Sequence, residues 1–196
     1  MTPFGQCATQ YAKYWADRER PAYEGLRQSG RSRRLRALQG AAGYFKIARN
    51  FRLAFDVRLG RERLAPVLAI LEEFRAPRVT ASRLAATVTA LRTRLGVAYG
   101  GGDRLSAATK FLWLLHREPV VIFDSRARRA LRAPAGDYSA YLELWHAGYS
   151  ENKQAIAAGC SALSKQPSAV ALVDTIDQEW FRQRVYDIHL WNSGAP

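Results

Sequence analysis

Acidic residues are scarce in this chain. Only 17 Asp and Glu stand against 30 Lys and Arg in 196 residues, a formal net charge of +13. That imbalance points to a polyanionic partner, because phosphates neutralised by a protein release condensed counterions and so drive association. Cysteine is scarce too. Cys7 and Cys160 form no CxxC pair and no cluster with the three histidines. Neither a zinc nor an iron–sulfur site is encoded, so no metal and no cofactor is expected. A disulfide between the two is disfavoured in a reducing cytoplasm. No apolar run approaches the roughly 20 residues of a membrane span. The opening MTPFGQCATQYAKYW lacks the basic-then-apolar pattern of a signal peptide. These absences predict a cytoplasmic protein with no membrane partner. Strand signals are also missing: only Val120-Val121-Ile122-Phe123 fits one, and a single short strand makes no sheet. The fold class read from the sequence is therefore all-α.

Apolar residues make up 48% of the chain, enough for a real core. The length suits one domain, or two tightly packed helical lobes. Charge is uneven. Residues 1–100 hold 19 Lys/Arg and 7 Asp/Glu, while residues 101–196 hold 11 and 10 and carry four of the five tryptophans. A basic N-terminal lobe, about 1–99, is expected to serve as an electrostatic platform for residues 100–196. Within it, RQSGRSRRLR at 27–36 marks Arg31, Arg33, Arg34 and Arg36 as phosphate contacts; the plainer reading is a solvated basic face.

Helical signals follow the chain. Residues 7–28 read as a helix broken or kinked near Pro21, and 35–55 as a helix interrupted by Gly40 and Gly43. Pro66 suits the first turn of a helix running to about Phe74 and ended by Ala76-Pro77. Thr80 can cap the next, in which Leu84, Val88, Leu91 and Leu95 form one apolar stripe. Tyr99 to Asp103 breaks it. Ser106 can cap a short helix to about His116. Asp124 or Ser125 caps a helix through Leu131, Asp137 caps another, and Ser150 a third. The last runs from about Asp177 to Trp191, with Phe181, Val185 and Ile188 as its core stripe.

The most informative stretch is 100–131, GGGDRLSAATKFLWLLHREPVVIFDSRARRAL. A glycine-rich turn leads to a short helix with Lys110, then a buried connector, then an aspartate opening a second helix. This arrangement resembles the core of the helix-hairpin-helix DNA glycosylases, in particular the small bacterial branch with an 8-oxoguanine-glycosylase-like fold. GDYSAYLELW, YSENKQAI and EWFRQRVYDIHLW extend the resemblance over roughly residues 100–192. It implies a single glycosylase-like domain over 1–196, a compact helical bundle of two packed lobes with a cleft between them. It also places Lys110 at the catalytic lysine and Asp124 at the shared catalytic carboxylate. The chain departs from the superfamily in having Leu105-Ser106-Ala107-Ala108-Thr109 where an apolar residue and Pro-Gly-Val-Gly are usual. Its lysine-to-aspartate interval of 14 residues is also short.

The chemistry suits those residue types. Breaking an N-glycosidic bond builds positive charge on the sugar. A carboxylate fixed near C1′ stabilises that charge and can orient or deprotonate a nucleophile. A neutral lysine amine can instead attack C1′ and form an imine. The plainer readings are an N-cap for Asp124 and a surface lysine for Lys110. An extruded base needs flat side chains to hold it. Trp113, Trp145, Tyr149, Trp180, His189 and Trp191 are candidates, though a helical aromatic is more often core. Arg126, Arg128 and Arg129 are placed to contact flanking phosphates, and Gly101 and Gly102, with Gly100, to offer them backbone N–H groups.

The reading is a monomeric DNA N-glycosylase acting on double-stranded DNA in a bacterial cytoplasm, associated with the nucleoid. It flips out a modified base and leaves an abasic site. The branch implies either oxidised-purine repair, with or without strand cleavage, or attack on chemically modified phage DNA in antiviral defence. The short chain leaves a pocket open to a bulky base such as glucosylated hydroxymethylcytosine, which favours defence narrowly. The rival class is a non-catalytic basic DNA- or RNA-binding module that keeps the fold without the chemistry. Charge supports both equally.

Overall fold

A computed structural model describes residues 2–51, 63–76, 79–166, 169 and 172–194. Among the described residues regular structure is helical and no strand occurs. In chain order the helices are α1 (Pro3–Tyr14), α2 (Arg20–Arg27), α3 (Arg31–Tyr44), α4 (Ala65–Glu73), α5 (Leu84–Ala98), α6 (Leu105–Leu115), α7 (Ser125–Ala130), α8 (Tyr138–Ser164), α9 (Val173–Ile176) and α10 (Glu179–Ser193). They sort into two compact units. The terminal unit comprises residues 1–16 and 123–196, and the central unit residues 17–122. These units differ from the division at residue 99 read from charge: residues 2–16 join the C-terminal helices, and 100–122 join the basic ones. None of the helices among the described residues is long and apolar enough to cross a membrane.

In the terminal unit α8 carries the longest apolar stripe, with Tyr138, Tyr141, Trp145, Tyr149, Ile156, Cys160 and Leu163 all buried. α1 packs against α8 and α10, and α10 also packs against α7. Gly159 makes the α1–α8 approach possible. A Cβ there would stand 2.8 Å from the Gly5 nitrogen and from the Phe4 carbonyl carbon. Thr2 starts α1 by accepting the Gly5 N–H at 3.1 Å. The expected break near Pro21 is a five-residue π-helical stretch, Trp15–Glu19, with Pro21 in the first turn of α2. Proline removes a helical N–H and crowds the carbonyl four residues back, so the ladder cannot continue in α register.

In the central unit α2 packs against α3 and α6, α4 against α5, and α5 against α6. The stripe Leu84, Val88, Leu91 and Leu95 is buried as its spacing predicts. In α6 every residue except Ser106 is buried. Arg27 donates to the Leu114 and Leu115 carbonyls at 2.9 and 2.8 Å, which satisfies the C-terminal end of that helix.

Several local expectations are corrected. Gly40 and Gly43 do not interrupt α3, because burial of Leu35, Leu38, Ala41 and Ala42 outweighs a propensity cost of about 1 kcal/mol per glycine. Ser150 is no cap; it lies inside α8, whose apolar stripe continues past it. Thr80 precedes a short 3₁₀ turn, Ala81–Arg83, without a side-chain capping bond. Ser106 sits inside α6, and Asp103 takes the capping role by accepting the Leu105 N–H at 2.8 Å. Pro77 and residues 52–55, within earlier helical expectations, lie outside the described residues.

Candidate functional site

Asp124 follows four buried residues, Val120 to Phe123, which form an extended connector rather than a strand. Its own backbone is extended (φ −133°, ψ 144°), and its Oδ1 accepts the Arg126 N–H at 3.0 Å. Asp124 is thus the N-cap of α7, as the sequence predicts. Its charge is felt by Tyr141 in the terminal unit's core. The Phe123 ring meets Tyr141 edge-on at 5.0 Å. Burial pushes the Tyr141 phenol well up, and the neighbouring Asp187, Tyr138 and Asp124 add to that, opposed by Arg184.

The arginines after Asp124 are engaged within the terminal unit. Arg126 lies 4.2 Å above the Trp191 ring. Arg128 donates to the Ala133 carbonyl at 2.8 Å, and Arg129 to the Gly194 carbonyl at 2.9 Å. Both tie the ends of neighbouring segments, a role that sequence spacing did not suggest.

The candidate base-holding aromatics divide by burial. Trp145 is completely buried; its indole N–H donates to Asp187 Oδ1 at 2.7 Å, and its ring stacks on Tyr149 at 5.1 Å. Asp187 Oδ2 receives Arg184 at 2.7 Å, so a buried ion pair anchors the tryptophan. Tyr149 is also buried and donates to Glu179 Oε1 at 3.0 Å. Trp180 packs on Trp15 at 4.6 Å between ring centres. Trp113 fills the core of the central unit. The structure therefore gives Trp113, Trp145 and Trp180 to packing. His189 and Trp191 are only partly buried. His189 lies 4.6 Å from the Phe4 ring and stacks near Tyr186 at 6.3 Å, and burial lowers its pKa. Its imidazole therefore stays neutral near pH 7, with one ring nitrogen a donor and the other an acceptor.

Lys110 belongs to the central unit. Only 6% of the residue is exposed, on a helix that otherwise buries mainly apolar side chains. Its Nζ donates to Ser106 Oγ, one turn earlier, at 3.0 Å and lies 5.9 Å from the Phe45 ring centre. Lysine is seldom buried to this degree. The sequence signal for this pairing was the i, i+4 spacing of Ser106 and Lys110, which the capping expectation for Ser106 obscured.

The glycine turn adopts positive φ at Gly100, Gly101 and Gly102 (74°, 94° and 83°), the left-handed region that favours glycine. The Gly101 N–H donates to the Gly96 carbonyl at 2.8 Å and closes the C-terminus of α5. It serves the helix end instead of pointing at an external phosphate.

The arginine cluster also divides. Arg34 donates to Glu72 at 2.8 Å and so ties α3 to α4, sharing that carboxylate with Arg75, so it is structural. Arg33 and Arg36 are exposed, and they line a groove of about 660 Å³ between α2 and α3. Arg31, also exposed, opens α3. Arg18 and Tyr44 line the same groove and were not read from the sequence as site residues. Among the described residues no group of three or more His, Cys, Asp or Glu is arranged to hold a metal ion. Both cysteines are buried and unbridged.

Compared with protein-family profiles, with curated proteins and with solved structures, the chain matches none.

Proposed function

We propose that the protein is a DNA N-glycosylase that removes a modified base. The observation that carries this reading is the burial of Lys110. Lysine is seldom so fully buried, and an amine kept out of bulk water is one way in which a nucleophilic lysine is set up. The position of that lysine is the one singled out by the resemblance to helix-hairpin-helix glycosylases.

In the proposed reaction the lone pair of Nζ attacks C1′ of the modified nucleotide, and Nζ then loses a proton. The C1′–N bond breaks, and the base leaves with its electron pair and takes up a proton. Opening of the sugar ring then gives an imine that borohydride can reduce. The alternative route needs no lysine attack: the Asp124 carboxylate offsets the positive charge developing on the sugar and takes a proton from the water that replaces the base. Of the candidate aromatics, His189 and Trp191 are the better suited to meet a base, because the others support the core.

For the substrate we favour a bulky modified base in phage DNA over an oxidised purine. The deciding experiment incubates the full chain with plain, oxidised and glucosylated-hydroxymethylcytosine DNA and measures released base and abasic sites. Release from one modified DNA and not from plain DNA supports the reading. Release from none of the three overturns it for these substrates.

The second reading, a non-catalytic nucleic-acid-binding module, is favoured by the exposed arginines of the α2–α3 groove, which need no chemistry to be useful. Tight binding to all three DNAs with no base released selects it.

A further inference from the structure

We infer that the groove between α2 and α3 is a binding site for the phosphodiester backbone of a DNA strand. None of its lining residues is among the groups assigned to chemistry. Three guanidinium groups, Arg18, Arg33 and Arg36, line it against one carboxylate, Asp17. All three arginines are exposed. Among the described residues no ion pair engages them, whereas the nearby glutamates are taken elsewhere: Glu24 by Arg20, Glu72 by Arg34 and Arg75, and Glu73 by Arg94. With one carboxylate in the lining against three guanidinium groups, the groove carries a net positive charge.

The first turn of α3 adds to that field. It contains Arg31, Arg33 and Arg34 and no acid, and its N-cap is Gly30, which has no side chain to cap with. A helix N-terminus already carries partial positive charge, so cations there repel it and one another. A bound anion relieves both. The groove floor is small and apolar, with Ala22, Gly25, Ala37, Gly40 and Ala41. Gly25 lets the helices close, since a Cβ there would stand 2.6 Å from Ala37 Cβ. At the far end Tyr44 donates to buried Glu19 at 3.3 Å, which fixes its ring. Sugars lie over such a floor while phosphates meet the arginine rim. The cations are all arginines, whose planar donors match phosphate oxygens in pairs. The choice of DNA over another polyanion rests on the proposed function; the anion site itself does not.

The test is binding of the full chain to unmodified, fluorescently labelled DNA, single- and double-stranded, between about 50 and 200 mM salt. Removing two phosphate contacts with the double variant Arg33→Ala/Arg36→Ala is expected to weaken binding about tenfold or more and to flatten the log–log salt dependence by about one to two. Gly40→Leu leaves the charge unchanged, meets no neighbour within 4 Å at its Cβ and favours the helix; by filling the groove it is expected to weaken binding severalfold. Lys13→Ala/Lys165→Ala removes the same charge from exposed positions of the terminal unit and should bind close to wild type. Thermal melts verify that each variant is folded. The inference is overturned if Arg33→Ala/Arg36→Ala loses no more affinity than the lysine control, if Gly40→Leu binds like wild type, or if polyglutamate of equal charge displaces DNA as well as polyphosphate does. Because plain DNA is the probe, failure to release a base leaves these outcomes unaffected.

Discussion

Lys110 donates to Ser106 across one turn of α6 at 3.0 Å, with 6% of the lysine exposed. Methionine keeps an unbranched side chain of similar length without the amine, so Lys110→Met is expected to stay folded while losing the borohydride-trapped DNA adduct. An adduct that survives in Lys110→Met would place the nucleophile elsewhere.

Asp124 offers a clean separation of two roles. It caps α7 through Oδ1, and asparagine is as good an N-cap as aspartate. Asp124→Asn should keep the fold and DNA binding but lower turnover by roughly 10²-fold or more. Asp124→Ala should in addition lose about 1 kcal/mol of stability. If Asp124→Asn turns over like wild type, the carboxylate is only a cap.

Much of this was legible in the sequence, and the misses have physical causes. The caps at Asp124 and Asp137 and the stripe of α5 were read from residues whose local preference and tertiary burial agree. At Gly40, Gly43, Ser106 and Ser150 intrinsic propensity points to a boundary, while the apolar period runs on through each of them. Lys110 was readable as a position but not as buried, since exposure depends on what packs around α6. Nothing in the sequence distinguishes the ion pair of Arg184 and Asp187, three residues apart, from ordinary surface charge. Its tie to Trp145, 42 residues away, depends on how α8 meets α10. The division of the arginines into structural Arg34 and groove-lining Arg33 and Arg36 follows from helix facing, which a run of like residues hides.

His189 predicts a pH dependence of stability. Burial holds its folded pKa below the ordinary value near 6.5. The unfolded chain therefore takes up the proton first on acidification. The contribution is full above about pH 6.5 and is lost as pH falls through the lowered folded value. Melting temperatures of wild type should fall more steeply than those of His189→Gln between pH 7 and 5. Parallel curves would mean that the ring is protonated in the fold as readily as in water.

Gly159 sits where α1 crosses α8, against backbone atoms of Phe4 and Gly5. Backbone cannot yield as a flexible side chain can. Gly159→Ala is expected to cost about 1–3 kcal/mol, a fall of roughly 2–4 °C in Tm per kcal/mol for a chain this long. A scanning calorimetry trace unchanged from wild type would show that α1 can shift without loss.

The most direct test of base excision compares wild type, Lys110→Met and Asp124→Asn on matched duplexes with and without a glucosylated hydroxymethylcytosine, reading free base by mass spectrometry. Base excision predicts release by wild type from the modified duplex alone, with loss of about 10²-fold or more in Asp124→Asn. Release at equal rates by wild type and both variants, or from none of them, contradicts it.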